Sequence, residues 1–185
     1  MKSLYFIRHG ESQANVDDVW GGQIETPLTQ VGIAQAQHAG RKAKLEGLKF
    51  DIIISSPLSR ATDTAKFVAQ EIGYPKESIV YNKLLLERSF GILDGTPNAK
   101  SFFDSHEYKD LDNVEEAETV EELQNRAEKS LHVIMKRPED SILVVGHGAF
   151  GRALRRVVNK QPYTDEFTKD WSSSYIPNAE IFQLI

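Results

Sequence analysis

Leu4-Tyr5-Phe6-Ile7-Arg8-His9-Gly10-Glu11-Ser12-Gln13-Ala14-Asn15 joins a short apolar run to a dense set of polar groups. Leu4–Ile7 has the composition of a buried strand. It ends at a permanent cation, an imidazole and a glycine within one turn. In open α/β sheets the carboxyl ends of the strands are where ligands bind. Far downstream, Ile142-Leu143-Val144-Val145 runs into Gly146-His147-Gly148 with the same layout. Two strand-end histidines, each beside glycine, predict one anionic site built from distant parts of the chain.

Outward from these anchors, strand and helix patterns alternate. Glu11–Gly22 is polar and reads as loop. Thr29 is the predicted N-cap of a helix over Gln30–Glu46 that stops at Gly47. Phe50–Ile54 is the second strand. Ser56-Pro57 has the form of a helix start, a capping residue followed by proline. Leu58, Ala61, Ala65, Val68 and Ile72 then repeat at three- and four-residue steps up to Gly73. Ser78–Leu86 reads as a strand and its exit. Thr119-Val120-Glu121-Glu122 is a capping box opening a helix that ends near Pro138. Ser141–Val145, Ala149–Val158 and Ala179–Ile185 read as strand, helix and strand. This alternation predicts an α/β fold, a mostly parallel buried sheet with helices on both faces. Residues 1–185 read as a single domain. Thr96–Glu118, rich in acidic residues, is expected to fold over one edge as a cap.

Composition narrows the functions. The 185 residues are 26% charged and 40% hydrophobic, ordinary for a soluble globular protein. The formal charge of −5 argues against nucleic-acid binding, so local cations must capture any anion. Without cysteine there is neither a disulfide framework nor a thiol nucleophile. The N-terminus does not read as a signal peptide, and no apolar run approaches the ~20 residues of a membrane span. A cytoplasmic location is the expectation, and the oligomeric state is not readable.

Four places could carry chemistry. His9 can be a nucleophile, and the Arg8 fork matches phosphate oxygens; a strand-end salt bridge beside a hydrogen-bonded histidine would read the same way. Arg60 lies in the first turn of a helix after a strand, where backbone N–H groups favour anions. The helix dipole disfavours an arginine there, which sets Arg60 apart from a solvated surface residue. Glu87 ends an apolar run, and desolvation would raise its pKa toward use as an acid; an ion pair with Arg88 is the alternative. His147 opens the helix bearing Arg152, Arg155 and Arg156. The five histidines form no zinc-protease spacing and no cysteine is available, so no metal is expected.

Taken together, Arg8-His9-Gly10-Glu11, Ser56-Pro57-Leu58-Ser59-Arg60-Ala61, Glu87 and Gly146-His147-Gly148 resemble the motif set of the histidine phosphatase superfamily, the phosphoglycerate mutase-like proteins. The resemblance extends to Ser12, Asn15, Gly22-Gln23 before Pro27-Leu28-Thr29, and Asn178-Ala179-Glu180. It implies a three-layer fold with a mostly parallel central sheet. His9 would be the phosphoryl-accepting nucleophile, with Arg8, Arg60 and His147 around the phosphoryl oxygens. Asn15 and Gln23 would add hydrogen bonds, and Glu87 would be the proton donor and later the base. No cofactor or metal is implied, and the partner is a small-molecule phosphomonoester.

The family divides by what receives the phosphoryl group. Mutases resemble this chain at Glu87-Arg88-Ser89-Phe90-Gly91, where the resemblance implies a substrate carboxylate held by Arg88. They also carry a longer, arginine-rich insertion where this chain has the short acidic 96–118 segment. That segment would repel polyanions, and Gly22-Gln23 and Asn178 look like the phosphatase branch. A phosphomonoester phosphatase is therefore expected. Cofactor-dependent phosphoglycerate mutase is the alternative, and a non-catalytic phospho-ligand binder a further one.

Overall fold

The computed structural model describes residues 2–97, 99–161 and 175–185, so Asn98 of the expected cap lies outside the described residues. Among these residues five strands form one sheet: β1 (Ser3–Arg8), β2 (Ile52–Ser55), β3 (Val80–Tyr81), β4 (Ser141–Gly146) and β5 (Ile181–Gln183). Their order is β3-β2-β4-β1-β5. All neighbours are parallel except β5, which runs antiparallel to β1. The two histidine-bearing strands lie side by side at the centre, from Ser3 opposite Ser141 to Arg8 opposite Gly146.

Strand residues alternate between the two faces, and each face has its own helices. Leu4, Phe6, Ile52, Ile54, Ile142 and Val144 pack with Leu123, Ala127 and Ile134 of α4 (Val120–Met135) and Phe150 and Leu154 of α5 (Gly148–Val158). Ile7, Ile53, Leu143 and Val145 pack with Ala39 and Ala43 of α2 (Gln30–Leu45) and Ala61, Ala65 and Val68 of α3 (Ser59–Ile72). The expected three layers follow directly. Each fully buried Leu, Ile or Phe contributes ~1.5–3 kcal/mol relative to exposure. No helix among the described residues is long and apolar enough to cross a membrane.

Glycine at position 10 is dictated by contact. A Cβ there would stand 2.3 Å from the Gly32 carbonyl oxygen, and one on Gly32 would stand 2.0 Å from that of Glu11. The turn after β1 is thereby pressed against the first turn of α2. Thr29 caps that helix as expected, its hydroxyl accepting from the Gly32 N–H at 3.0 Å.

Several boundaries differ from the sequence pattern. The Glu11–Gly22 loop contains a short helix, α1 (Gln13–Val16), entered through a Ser12–Asn15 capping box. The chain enters α3 at Ser59, with Leu58 at the N-cap; the Ser59 N–H donates to Glu25 Oε2 at 2.8 Å. The Ser78–Leu86 strand shrinks to Val80–Tyr81, because Asn82 Oδ1 accepts from the Leu84 N–H and starts a 3₁₀ turn over Lys83–Leu85. The final strand is Ile181–Gln183 and β2 is Ile52–Ser55.

The 96–118 segment folds as 3₁₀ turns over Ser101–Asp104 and Tyr108–Asn113. Its apolar residues gather around Trp20, whose ring centroid is 4.7 Å from Phe90, 5.4 Å from Phe102 and 5.9 Å from Phe103. Trp20 is pinned at both backbone groups, to Thr96 O and from Gly95 N. Trp20 and Phe90 of this cluster line a cavity together with Arg8 and His9 at the carboxyl end of β1.

Candidate active site

His9 follows directly from the pairing of β1 with β4: its N–H continues the ladder to the Gly146 carbonyl at 2.9 Å. The ring is 3% exposed. Its Nδ1 lies 2.7 Å from the Gly10 carbonyl oxygen, which can only accept, so the proton is on Nδ1. Nε2 is left unprotonated in a ring that lines a cavity of about 170 Å³. Burial holds the His9 pKa well below the usual 6.5, with the charges of Arg60 and then Arg8 acting in the same direction. Asn178 Nδ2 donates to the His9 carbonyl and the Gly10 N–H donates to Thr64 Oγ1, so the turn is anchored on both sides.

The two predicted arginines flank this ring. Arg60, 2% exposed, donates to the carbonyls of Ile24 at 2.8 Å and Gly22 at 2.7 Å. Burial lowers its pKa to about 10, partly offset by Glu87 and Glu25, so it is still a cation at neutral pH. Arg8 Nη1 donates to the Ile176 carbonyl at 3.0 Å. Its Nε is buried without a hydrogen-bond partner among the described residues. Neither guanidinium has a carboxylate within salt-bridge distance among the described residues. Carbonyl oxygens orient both without neutralising them.

His147 lies beside His9, with ring centroids 5.2 Å apart at 61°. It is wholly buried, and burial, then Arg60, lower its pKa well below 6.5. Nε2 is 2.7 Å from Ser56 Oγ, while Nδ1 is buried without a partner among the described residues. Glu87 leaves the 3₁₀ turn, not a strand. Its carboxylate accepts from the N–H groups of Arg88 at 2.9 Å, Phe150 at 3.0 Å and Ala149 at 3.1 Å. Glu87 thus caps the first turn of α5, directly after His147. Asn15 lines the cavity, and its Oδ1 accepts from the Ser12 N–H, which leaves its amide NH₂ as the available donor.

His9, Arg8, Arg60, Glu87, His147 and Asn15 therefore converge, and two predicted contacts do not. Gln23 is exposed and donates to the Glu87 carbonyl at 3.0 Å, outside the cavity lining. Arg88 is fully buried but turned into the cap: it pairs with Asp112 at 2.6 Å, donates to the Glu118 carbonyl at 2.7 Å, and lies 4.6 Å over the Tyr108 ring. The acidic cap also differs from expectation. Asp112 and Glu118 are engaged by Arg88 and Arg126, and no cap carboxylate lines the chamber beside Glu87. That chamber is lined instead by Trp20, Phe90, Phe103, Tyr108, Lys100 and Arg152.

Arg126 escapes the sequence pattern. It donates to the carbonyls of Leu84, Leu86 and Glu87 and grips Glu118 at 2.7 and 2.6 Å. Its one sequence signal is a cation between Leu123 and Ala127, beside the apolar stripe of α4. Arg152, on the helix that His147 opens, is only 7% exposed and lines the chamber beside Glu87.

Comparison with known proteins points the same way. The sequence model of the histidine phosphatase superfamily (branch 1) matches residues 4–176. A 2,3-bisphosphoglycerate-dependent phosphoglycerate mutase of Methylobacterium sp. is 40% identical over 92 residues, 50% of this chain and 44% of that protein. This chain therefore aligns with less than half the length of that relative. Among solved structures, a mycobacterial glucosyl-3-phosphoglycerate phosphatase in complex with VO₃ has a TM-score of 0.77 at 23% identity, covering 99% of this chain and 92% of its own. A phosphoserine phosphatase of Entamoeba histolytica, in complex with 3-phosphoglyceric acid, has a TM-score of 0.76 at 23% identity, covering 99% and 90%. At these identities the likeness concerns the fold.

The depressed histidine pKa values set a direction for stability. Below about pH 6.5 the unfolded chain takes up protons that buried His9 and His147 refuse. Their contribution is complete above that pH and is lost as pH falls toward their folded values, by up to ~1.4 kcal/mol per pH unit for each histidine. Guanidinium unfolding between about pH 7.5 and about pH 5.5 should show this loss, with a shallower dependence in His9→Gln. An unchanged slope in that variant would show that His9 does not contribute to the pH dependence.

Proposed function

The chain belongs to the histidine phosphatase superfamily (branch 1), and from that premise we propose that it is a phosphomonoester phosphatase working through a phosphohistidine on His9. The observation that carries this is the His9 ring: buried, proton on Nδ1, Nε2 unprotonated, between two guanidinia with no carboxylate at salt-bridge distance among the described residues.

In the first half-reaction the Nε2 lone pair attacks phosphorus and the P–O ester bond breaks. The leaving oxygen takes a proton from Glu87 in its acid form. In the second, the Glu87 carboxylate accepts a proton from water as the water oxygen attacks phosphorus. The N–P bond breaks, phosphate departs and His9 returns to its starting tautomer. Phosphoryl transfer has a loose transition state with charge on the equatorial oxygens, so positioned cations and donors carry the catalysis. Arg8 Nε and His147 Nδ1, both buried and without partners among the described residues, are groups that such oxygens would satisfy. The chamber beside Glu87 would take the leaving group, and Lys100 and Arg152 suit one carrying a negative charge.

Water as the acceptor, in preference to a hydroxyl of a bound sugar acid, is supported by Arg88. A carboxylate clamp would need its guanidinium in the cavity, and Asp112 and the Glu118 carbonyl hold it in the cap. The phosphoglycerate mutase alternative draws on the Methylobacterium relative. Inorganic phosphate release from a panel of metabolite phosphomonoesters, with His9→Ala as blank, separates these. The expected result is release by the wild type and at least a ~10³-fold loss in His9→Ala. Phosphoglycerate interconversion faster than release would assign a mutase, and saturable binding without turnover a phospho-ligand binder.

Arg126 supports this chemistry from behind, since one of its hydrogen bonds reaches the Glu87 carbonyl and two more fix it on Glu118. General acid assistance is worth roughly 10²–10⁴-fold and matters most for poor leaving groups. Arg126→Gln should therefore lower kcat for alkyl phosphates by about 10-fold or more while sparing p-nitrophenyl phosphate. Equal losses on both would show that Arg126 does not act through the acid.

A further inference from the structure

The Ser56 hydroxyl has no part in capping α3, although Ser56-Pro57 has the form of a helix start. It is wholly buried and 2.7 Å from His147 Nε2. The backbone holds it there: the Ser56 N–H donates to Val145 O at 2.9 Å, two residues before His147, and the Ser55 hydroxyl donates to Ser56 O. The Leu58 N–H, which can only donate, lies 3.4 Å from the same hydroxyl oxygen.

We infer that Ser56 is a positioning residue that selects the His147 tautomer, its hydroxyl donating to Nε2 so that the proton resides on Nδ1 and Nδ1–H is offered to the phosphoryl oxygens. This rests on the phosphatase proposed above. A neutral imidazole has one N–H, so it either presents a donor or a lone pair to an anion. With Nε2 protonated, Nδ1 would turn a buried lone pair toward the oxygens and His147 would repel what Arg8 and Arg60 attract. Burial keeps His147 from carrying both protons, so the choice between tautomers decides whether it is a donor at all. Ser56 touches neither substrate nor reacting atom; it acts through His147.

The test reads the tautomer directly. Nitrogen-15 NMR of histidine-labelled protein, with His147 identified by its loss in His147→Gln, is expected to show Nδ1 protonated and Nε2 bare. In Ser56→Ala the Nε2–H form should become substantially populated. kcat/KM for p-nitrophenyl phosphate should fall by roughly 10²-fold, as when one transition-state donor is lost, with weaker inhibition by orthovanadate. Ser56→Thr, which keeps the hydroxyl, should retain the Nδ1–H signal and most of the activity. A wild-type His147 protonated at Nε2, or a Ser56→Ala protein with unchanged Nδ1–H and turnover, would overturn the inference. A wild type inactive on all phosphomonoesters would instead overturn the phosphatase reading, and the NMR result would still report on Ser56.

Discussion

The parallel pairing of β1 with β4 is the constraint on which the site depends. Arg8 stands opposite Gly146, and the His9 N–H bonds the Gly146 carbonyl, so both histidines leave the sheet at one level. A one-residue slip would reverse the faces of every β1 side chain and take Leu4 and Phe6 out of their core. Hydrophobic packing on two faces thus fixes the 5.2 Å spacing of two polar rings. Gly10 and Gly32 complete the constraint, since their backbones approach too closely for any side chain. Packing, register and chemistry are one requirement here.

Electrostatics then depend on what is kept out. The chain is acidic overall, with a formal charge of −5, yet Arg8 and Arg60 are held by carbonyl oxygens. Among the described residues the acidic cap places no carboxylate in the chamber beside Glu87, and its Asp112 and Glu118 are engaged by Arg88 and Arg126. Buried cations with unneutralised charge destabilise a fold unless something anionic shares their site. Burial, reinforced by the same cations, keeps His9 and His147 neutral, and a neutral ring is the state a nucleophile at His9 requires.

Much of this is legible in the residues themselves. The β1 and β4 patterns, the Thr29 and Thr119 caps and the Gly73 stop each depend on local chemistry, and each falls where the pattern puts it, within a residue or so. What local pattern does not carry is direction. Arg88 adjoins Glu87 in sequence, but the two side chains part, one toward α5 and one toward Asp112. Gln23 sits in a suggestive motif but serves the Glu87 backbone. Ser56 has the form of a cap, and its hydroxyl belongs to His147. Arg126 is unremarked in sequence because three of its partners are carbonyl groups, which every residue has, and the fourth is Glu118, eight residues away. The Ser78–Leu86 strand fails because a single Asn82 hydrogen bond turns the chain out of the sheet.

The proposed chemistry turns on His9 accepting the phosphoryl group. Mixing the protein with a ³²P-labelled phosphomonoester, quenching at alkaline pH and mapping the labelled peptide tests it most directly. A phosphohistidine at Nε2 of His9 is expected, absent from His9→Ala and present, more slowly formed, in His147→Ala. Label on any other residue, or turnover in His9→Ala at the wild-type rate, would contradict it.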